Sequence, residues 1–299
     1  MKKGLHLPNA LEAAIALSLL VAPGAAMAHG SPEEKCAQAA AAYSACGERF
    51  RFDNGLFRFD TALGQRDVVC SDGRTLDFYD RIESMDVASL LMIPYVPGVV
   101  PLPEKRRNHD PGRLHVDDLQ ASVYGGTREE VRANLVPVEF LGQKVPFQKH
   151  LGAAAALGRV GRQIMAAAAN DPVLAKFIEP FTAKKIDLRN YAYAWRNVKG
   201  TNRLSSHSFA TAIDLLTNVG PMYWLWDVTK SDPERAKRGE EGFRDVHFVA
   251  RGKPIMPQKI VDAFEANGFI WGGKWNHYDT MHFEYRPEMF PGLKITCQK

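Results

Sequence analysis

Two short alternating stretches, far apart in the chain, constrain its fold more than any other feature. The first, LSSHSFATAIDLL (204–216), places His207 seven positions before Asp214. Within Ala212-Ile213-Asp214-Leu215 the polarity alternates, so Asp214 leaves a strand on the face opposite Ile213 and Leu215. Small residues at Ala210 and Ala212 leave room for a backbone turn tight enough to bring His207 toward that carboxylate. Taken alone, the pair reads as a hydrogen-bonded couple or as two surface groups. The second stretch, DTMHFEY (279–285), alternates in the same way: in a strand beginning at His282, His282 and Glu284 share one face and Phe283 and Tyr285 the other. Asp279 precedes His282 by three residues, in a block that also carries Trp271, Trp275, His277 and Tyr278. That density of polar and aromatic groups suits the floor of a cleft better than a core.

Combined, the two stretches supply two imidazoles, His207 and His282, and one carboxylate, Asp214. Three such ligands with a fourth position open are the donor set of a catalytic zinc site, one Zn2+ per chain. Asp279, beside a ligand but not needed as one, is the natural general base. Two histidines and a carboxylate also make the facial triad of non-haem iron oxygenases. Those enzymes place His and Asp nearly adjacent on one strand, so the seven-residue spacing and the spare carboxylate favour hydrolysis at zinc. Ser205 and Ser206 read as turn hydroxyls, or as groups that orient a ligand, since no base is spaced to activate either as a nucleophile.

At the other end, Lys2 and Lys3 precede the apolar run AAIALSLLVAPGAAMA, which closes on the small-x-small pattern Ala26-Met27-Ala28. Residues 1–28 therefore read as a cleaved secretory signal peptide, and the mature chain as periplasmic or otherwise exported. No later segment is apolar enough for a transmembrane helix. The mature chain is long enough for one large domain or a domain with an elaborated N-terminal part, and the hydrophobic content of 45% permits a sizeable core. A net charge of +4, spread along the chain, argues against a nucleic-acid partner while leaving mild attraction to an anionic wall polymer. The four cysteines, Cys36, Cys46, Cys70 and Cys297, favour two disulfides in an exported chain. Three pairings exist; one joins Cys36 to Cys46 in a short loop and leaves Cys70 to tie the N-terminal part to Cys297.

The intervening pattern is mixed. Residues 33–47 read as a helix, and 48–82 as strands turning at Asn54-Gly55. The proline-rich segment 93–113 reads as an irregular loop, and His109, Asp110, His115, Asp117 and Asp118, in or just after it, as solvated groups. Thr127-Arg-Glu-Glu130 is a capping box opening a short helix. Residues 136–147 read as two strands around Gly142, 150–170 as a long helix stopped by Asp171-Pro172, YAYAWR (191–196) as a strand, and 257–269 as a second helix. From about residue 136 the fold class is α+β, a small antiparallel sheet flanked by helices and carrying the mononuclear site. Residues 29–135 form an N-terminal, disulfide-tied extension of unknown role, and 136–299 the zinc domain.

At these residues the chain resembles the VanY-like zinc D-alanyl-D-alanine carboxypeptidases, relatives of the VanX dipeptidases and of L-alanyl-D-glutamate endolysins. The family motif S-x-H-x-x-G-x-A-x-D is matched by Ser205, His207, Ala210, Ala212 and Asp214, and a carboxylate followed two residues later by H-F is matched by Asp279, His282 and Phe283. The block GFIWGGKWNHYDTMHFEYRP strengthens the likeness, which covers roughly residues 136–290. It implies a peptidase acting on peptidoglycan stem peptides, with zinc on His207, Asp214 and His282 and Asp279 as base. It also implies an arginine that stabilises the developing oxyanion, best matched by Arg196, with Arg203 second. Glu284 is placed to orient a ligand histidine or to pair locally. His277 suits either substrate contact or structure, and Trp224, in YWLWD (223–227), either a substrate groove or the core. Ala210 departs from the family glycine. A wall-binding protein that keeps the fold without catalysis is the alternative, although it would have no need of Asp279. The bond cut, whether D-Ala–D-Ala, a D,D-crosslink or L-Ala–D-Glu, is not set by these motifs.

Overall fold

The computed structural model describes residues 30–46, 50–61, 64–71, 86–93, 95–98, 110–113, 116–198, 202–216, 249–250, 253–254, 256–275 and 277–297. The expected signal peptide (1–28), His109, His115 and Trp224 with its YWLWD segment lie outside them. Among the described residues the chain is mixed: helices beside small antiparallel sheets.

The N-terminal part begins with helix α1 (Pro32–Ser44), started by a capping box in which Ser31 and Glu34 satisfy each other's backbone amides. A three-stranded meander comes next, β1 (Phe50–Asp53), β2 (Leu56–Thr61) and β3 (Gly64–Val69). Asn54 and Gly55, both with positive φ, close its first turn, the conformation a two-residue hairpin requires. Phe57 and Phe59 bury one face of β2 against Tyr43 of α1. The short helices α2 (Val87–Leu91), α3 (Asp117–Tyr124) and α4 (Arg128–Ala133) complete this part. Asp117 and Asp118 sit in the first turn of α3, where carboxylates favour the helix dipole. The capping box expected at Thr127 and Glu130 opens α4.

The cysteine pairing differs from the one with a local Cys36–Cys46 loop. Cys36 joins Cys70, fastening α1 to the end of the meander, and Cys46 joins Cys297, fastening the end of α1 to the C-terminal tail. Local spacing did not decide the matter because α1 separates Cys36 and Cys46 by nearly three turns, about 15 Å at helical rise, beyond the reach of a disulfide.

Beyond α4, the hairpin β4 (Leu135–Phe140) and β5 (Gln143–Gln148) turns at Leu141-Gly142 as expected. The long helix does not run from residue 150: Leu151 and Gly152 adopt left-handed φ within a 3-10 turn, and α5 is Ala153–Ala168. Its alanine- and glycine-rich buried face lies on β4, where Gly161 lets the helix backbone approach Phe140 closely. Asp171, read as a stop signal, caps the next helix α6 (Pro172–Thr182) by accepting from the amides of Val173 and Leu174. The YAYAWR segment is not a strand. Tyr191 and Ala192 end a one-turn helix α7 (Arg189–Ala192), and only Asn197 makes a bridge, to Leu204. Burial of Leu188, whose amide donates to the Gln143 side chain, overrides the local alternation.

The sheet that matters most is small. Strand β6 (Ala212–Asp214) is followed by the two-residue pair β7 (Val249–Ala250) and β8 (Lys253–Pro254), helix α8 (Gln258–Glu265), β9 (Phe269–Trp271) and β10 (His282–Tyr285). Strand β10 lies centrally, antiparallel to both β6 and β9. Phe283 stacks on Phe264 of α8 with centroids 3.8 Å apart, and Phe264 meets Phe269 edge-on. One face of the sheet is thus sealed onto α8, and burying a side chain such as Phe283 is worth roughly 2–3 kcal/mol. Period two then turns His282, Glu284 and Asp214 to the other face.

Candidate metal centre and cleft

Cross-strand register brings the two sequence stretches together. His282 stands directly opposite Asp214 on the neighbouring strand, so both side chains leave one face of the sheet. His207 arrives from a 3-10 turn, Ser206–Phe209, capped by the Ser205 hydroxyl, which accepts from the His207 amide. The turn ends at Ala210 with φ 53° and ψ 40°, a left-handed residue, and this reversal feeds the chain straight into β6. That conformation favours glycine, so Ala210 occupies a strained site, fully buried.

The three groups converge on one point. His207 Nε2 lies 3.2 Å from Asp214 Oδ1 and 3.2 Å from His282 Nδ1, and His282 Nδ1 lies 2.9 Å from Asp214 Oδ1. These are the atoms that could hold a metal ion together. Donors about 2.0–2.2 Å from a tetrahedral zinc stand roughly 3.3 Å apart, so the trio fits such an ion almost as it stands. Each histidine is oriented from behind. His207 Nδ1 donates to the Ala192 carbonyl at 3.4 Å, leaving Nε2 as the ligand atom, and His282 Nε2 faces Glu284 at 3.5 Å. Glu284 is paired in turn with Arg286, whose Nε donates to Glu288.

The charges follow from this packing. Burial opposes ionisation of Asp214, yet His207 and His282 beside it hold its carboxyl far below the usual range. Burial likewise opposes a charge on His282, but hydrogen bonds to Asp214 and Glu284 outweigh it and push the imidazole up to about 10. Asp279 behaves oppositely: burial raises its carboxyl, only partly offset by the Arg113 guanidinium and the nearby histidines.

Asp279 stands on the turn before β10 and shares a cavity of about 580 Å³ with the trio. Its amide donates to the Gly272 carbonyl and its carbonyl accepts from the His282 amide. A Cβ on Gly272 would stand 2.4 Å from the Asp279 carbonyl oxygen, so the close return of this loop requires glycine. Asp279 Oδ2 is paired with Arg113 at 3.3 Å, whereas Oδ1 is buried without a hydrogen-bond partner among the described residues.

Arg196 lines the same cavity on its open side. Its backbone is fixed by Ser208, whose hydroxyl accepts from the Arg196 amide and donates to its carbonyl. Arg203 is turned away from that task, donating to the Arg113 carbonyl. Ser206, which also lines the cavity, keeps a buried hydroxyl without a partner among the described residues. His277 is held by Asp110, which accepts from its amide and faces its Nδ1, both at 2.7 Å.

Asp110 corrects the reading of that loop as solvated, for its side chain is fully buried. Segment 110–113, from the proline-rich stretch, lies against the cleft, and Arg113 and Gly112 line it. Sequence reasoning missed both, because Asp-Pro-Gly-Arg reads as an exposed turn and the partners of Asp110 and Arg113 lie far along the chain.

Residues 199–285 match a family model described as D-alanyl-D-alanine carboxypeptidase. No curated protein and no solved structure matches the chain. The matched stretch contains His207, Asp214, Asp279 and His282, the residues that converge in the cleft, apart from the N-terminal segment that lines it.

Proposed function

We propose that the chain is an exported zinc peptidase that hydrolyses peptide bonds in peptidoglycan stem peptides, as a D,D-carboxypeptidase or endopeptidase. The observation that carries this reading is the convergence of His207, Asp214 and His282 in one cavity with a carboxylate, Asp279, that keeps one oxygen unpartnered. Spacing near 3 Å suits zinc and also an octahedral iron. The extra carboxylate and the carboxypeptidase match favour zinc. Two disulfides fit an oxidising compartment, in line with the signal-like N-terminus.

Zinc held by the trio would acidify a water and polarise the scissile carbonyl. Asp279 Oδ1 would take a proton from the attacking water and hand it to the departing amine. Burial raises its carboxyl above the usual carboxylate range, which makes it a stronger proton acceptor than an exposed carboxylate. Arg196, lining the cleft, would bring a cation to the carbonyl oxygen, where negative charge grows in the transition state. Glu284 and the Ala192 carbonyl keep the two imidazoles in the tautomers that leave the converging nitrogens free. A purely wall-binding role would leave the unpartnered Asp279 oxygen without a purpose.

The test is metal analysis of the purified protein, followed by incubation with defined muropeptides and mass analysis of the products. Zinc near one per chain and cleavage are expected, with Asp279→Ala slower by about 100-fold or more. A zinc-loaded protein that cleaves none of them, with Asp279→Ala indistinguishable from wild type, would sink the reading.

A further inference from the structure

Segment 110–113 lies outside the matched stretch, yet it grips the loop that carries Asp279 through Asp110, Gly112 and Arg113. The buried Asp110 carboxylate holds His277 by its amide and its ring. The Pro111 carbonyl accepts from Arg286, and the Arg113 carbonyl from Arg203. Gly112 lies flat against Trp275, where a Cβ would stand 2.1 Å from the indole. Arg113 then extends over the Trp275 ring, 5.1 Å from its centroid, and donates from Nε to the His277 carbonyl at 3.1 Å. Its Nη2 faces the Tyr278 carbonyl at 3.5 Å and Asp279 Oδ2 at 3.3 Å. Three successive residues of the loop are thus held by one guanidinium. The consequence falls on Asp279: Oδ2 is engaged, and Oδ1 is the oxygen left without a partner.

We propose that Arg113 is a positioning residue for the reaction, fixing the Asp279 carboxylate through Oδ2 so that Oδ1 is the oxygen left unengaged at the edge of the cleft. The proposal rests on Asp279 acting as the base. Arg113 touches neither metal nor substrate in this role; it acts through Asp279, and the N-terminal part of the chain thereby completes a site whose ligands all come from the C-terminal part. A guanidinium suits the task because its rigid planar fork spreads donors over two backbone carbonyls and a carboxylate, whereas an ammonium offers its three donors from a single atom.

The experiment compares zinc-loaded wild type, Arg113→Ala and Arg113→Lys on a D-Ala–D-Ala-terminated pentapeptide, with zinc content and a crystal structure of each. In Arg113→Ala, kcat is expected to fall by about 10- to 100-fold while KM changes little, as for a misplaced catalytic group. Zinc content should hold, and Arg113→Lys, which keeps the charge and the stem over Trp275, should recover part of the loss. In an Asp279→Ala background the Arg113 substitution should cost nothing more. The crystal structure of Arg113→Ala should show the Asp279 carboxylate turned while His207, Asp214 and His282 superpose. An unmoved Asp279, or a kcat close to wild type, overturns the proposal. Should wild type cleave no peptide, the functional reading fails by itself and the position of Asp279 still decides the role of Arg113. If Arg113→Ala does not fold, the same comparisons are made on Arg113→Lys.

Discussion

Every metal-ligand candidate is also a proton site, and that sets how the centre takes up an ion. Metal-free His282 has its pKa raised from 6.5 to about 10 by Asp214 and Glu284, against the opposing effect of burial. It is therefore protonated at neutral pH, and its proton stabilises the metal-free fold fully below pH 6.5 and progressively less as pH rises toward 10. An incoming ion must displace that proton. Zinc binding at pH 7 should release about one proton from this histidine, and apparent affinity should climb by up to about tenfold per pH unit toward 10. Calorimetric titrations in buffers of different ionisation enthalpy read the release directly, and uptake without it would contradict the charge state drawn for His282. Ala210 poses a different residue-scale question. At φ 53° and fully buried, it carries about 1 kcal/mol of left-handed strain. Glycine would relieve that but lose a buried methyl, so Ala210→Gly should shift stability by less than about 1 kcal/mol. Ala210→Val adds a β-branch to the same backbone and to a filled site, and should cost more than about 2 kcal/mol by urea unfolding. Equal stabilities for the two variants would mean that the turn relaxes out of the left-handed region.

At the scale of elements, the cleft depends on contacts between segments distant in sequence. Glu265, at the end of α8, accepts from Tyr95 and Lys274 at 2.5 Å each and from the Gly98 amide at 2.6 Å. Tyr95 in turn accepts from the Trp271 amide, and Lys274 donates to the Val96 carbonyl. Both charges are almost fully buried, so Lys274→Met would leave Glu265 without its cation, at a cost of about 3–5 kcal/mol in urea unfolding. A loss below about 1 kcal/mol would show that the other donors suffice. Nothing in the local pattern around Lys274 announces this network. Legible in the sequence are the features whose cause is local: the capping box at Thr127, the Asn54-Gly55 turn, and the period-two faces of β6 and β10. The same alternation misleads at Tyr191, where burial of Leu188 imposes a helical turn. Asp110 and Arg113 were invisible for a related reason: charged residues in a proline-rich loop look solvated unless their partners, 167 and 166 residues away, are known.

For the whole molecule, the question is whether the N-terminal part is an appendage or belongs to the cooperative unit. Its core is continuous with the rest, from Cys36 and Phe57 through Phe283 and Phe290. Gln38 of α1 donates to the Glu288 carbonyl, and Cys46–Cys297 joins residues 251 positions apart. The cysteine count told that the four pair, but not how, because pairing depends on where α1 docks. Closing so long a loop removes enough denatured-state entropy to be worth about 5 kcal/mol, against about 4 for the 34-residue Cys36–Cys70 loop. Replacing Cys46 and Cys297 by alanine should therefore lower the urea midpoint markedly. If segment 110–113 is held in the cleft by the common core, the variant should still unfold in one transition, with tryptophan fluorescence and peptidase activity lost together. An appendage would behave otherwise: activity or fluorescence would change in an earlier step as the N-terminal part came away, leaving the β6-β10-β9 sheet folded. Coincident transitions at reduced stability are the expected outcome, because the clamp around Trp275 and the Glu265 network both cross the boundary and neither can open without exposing buried charge.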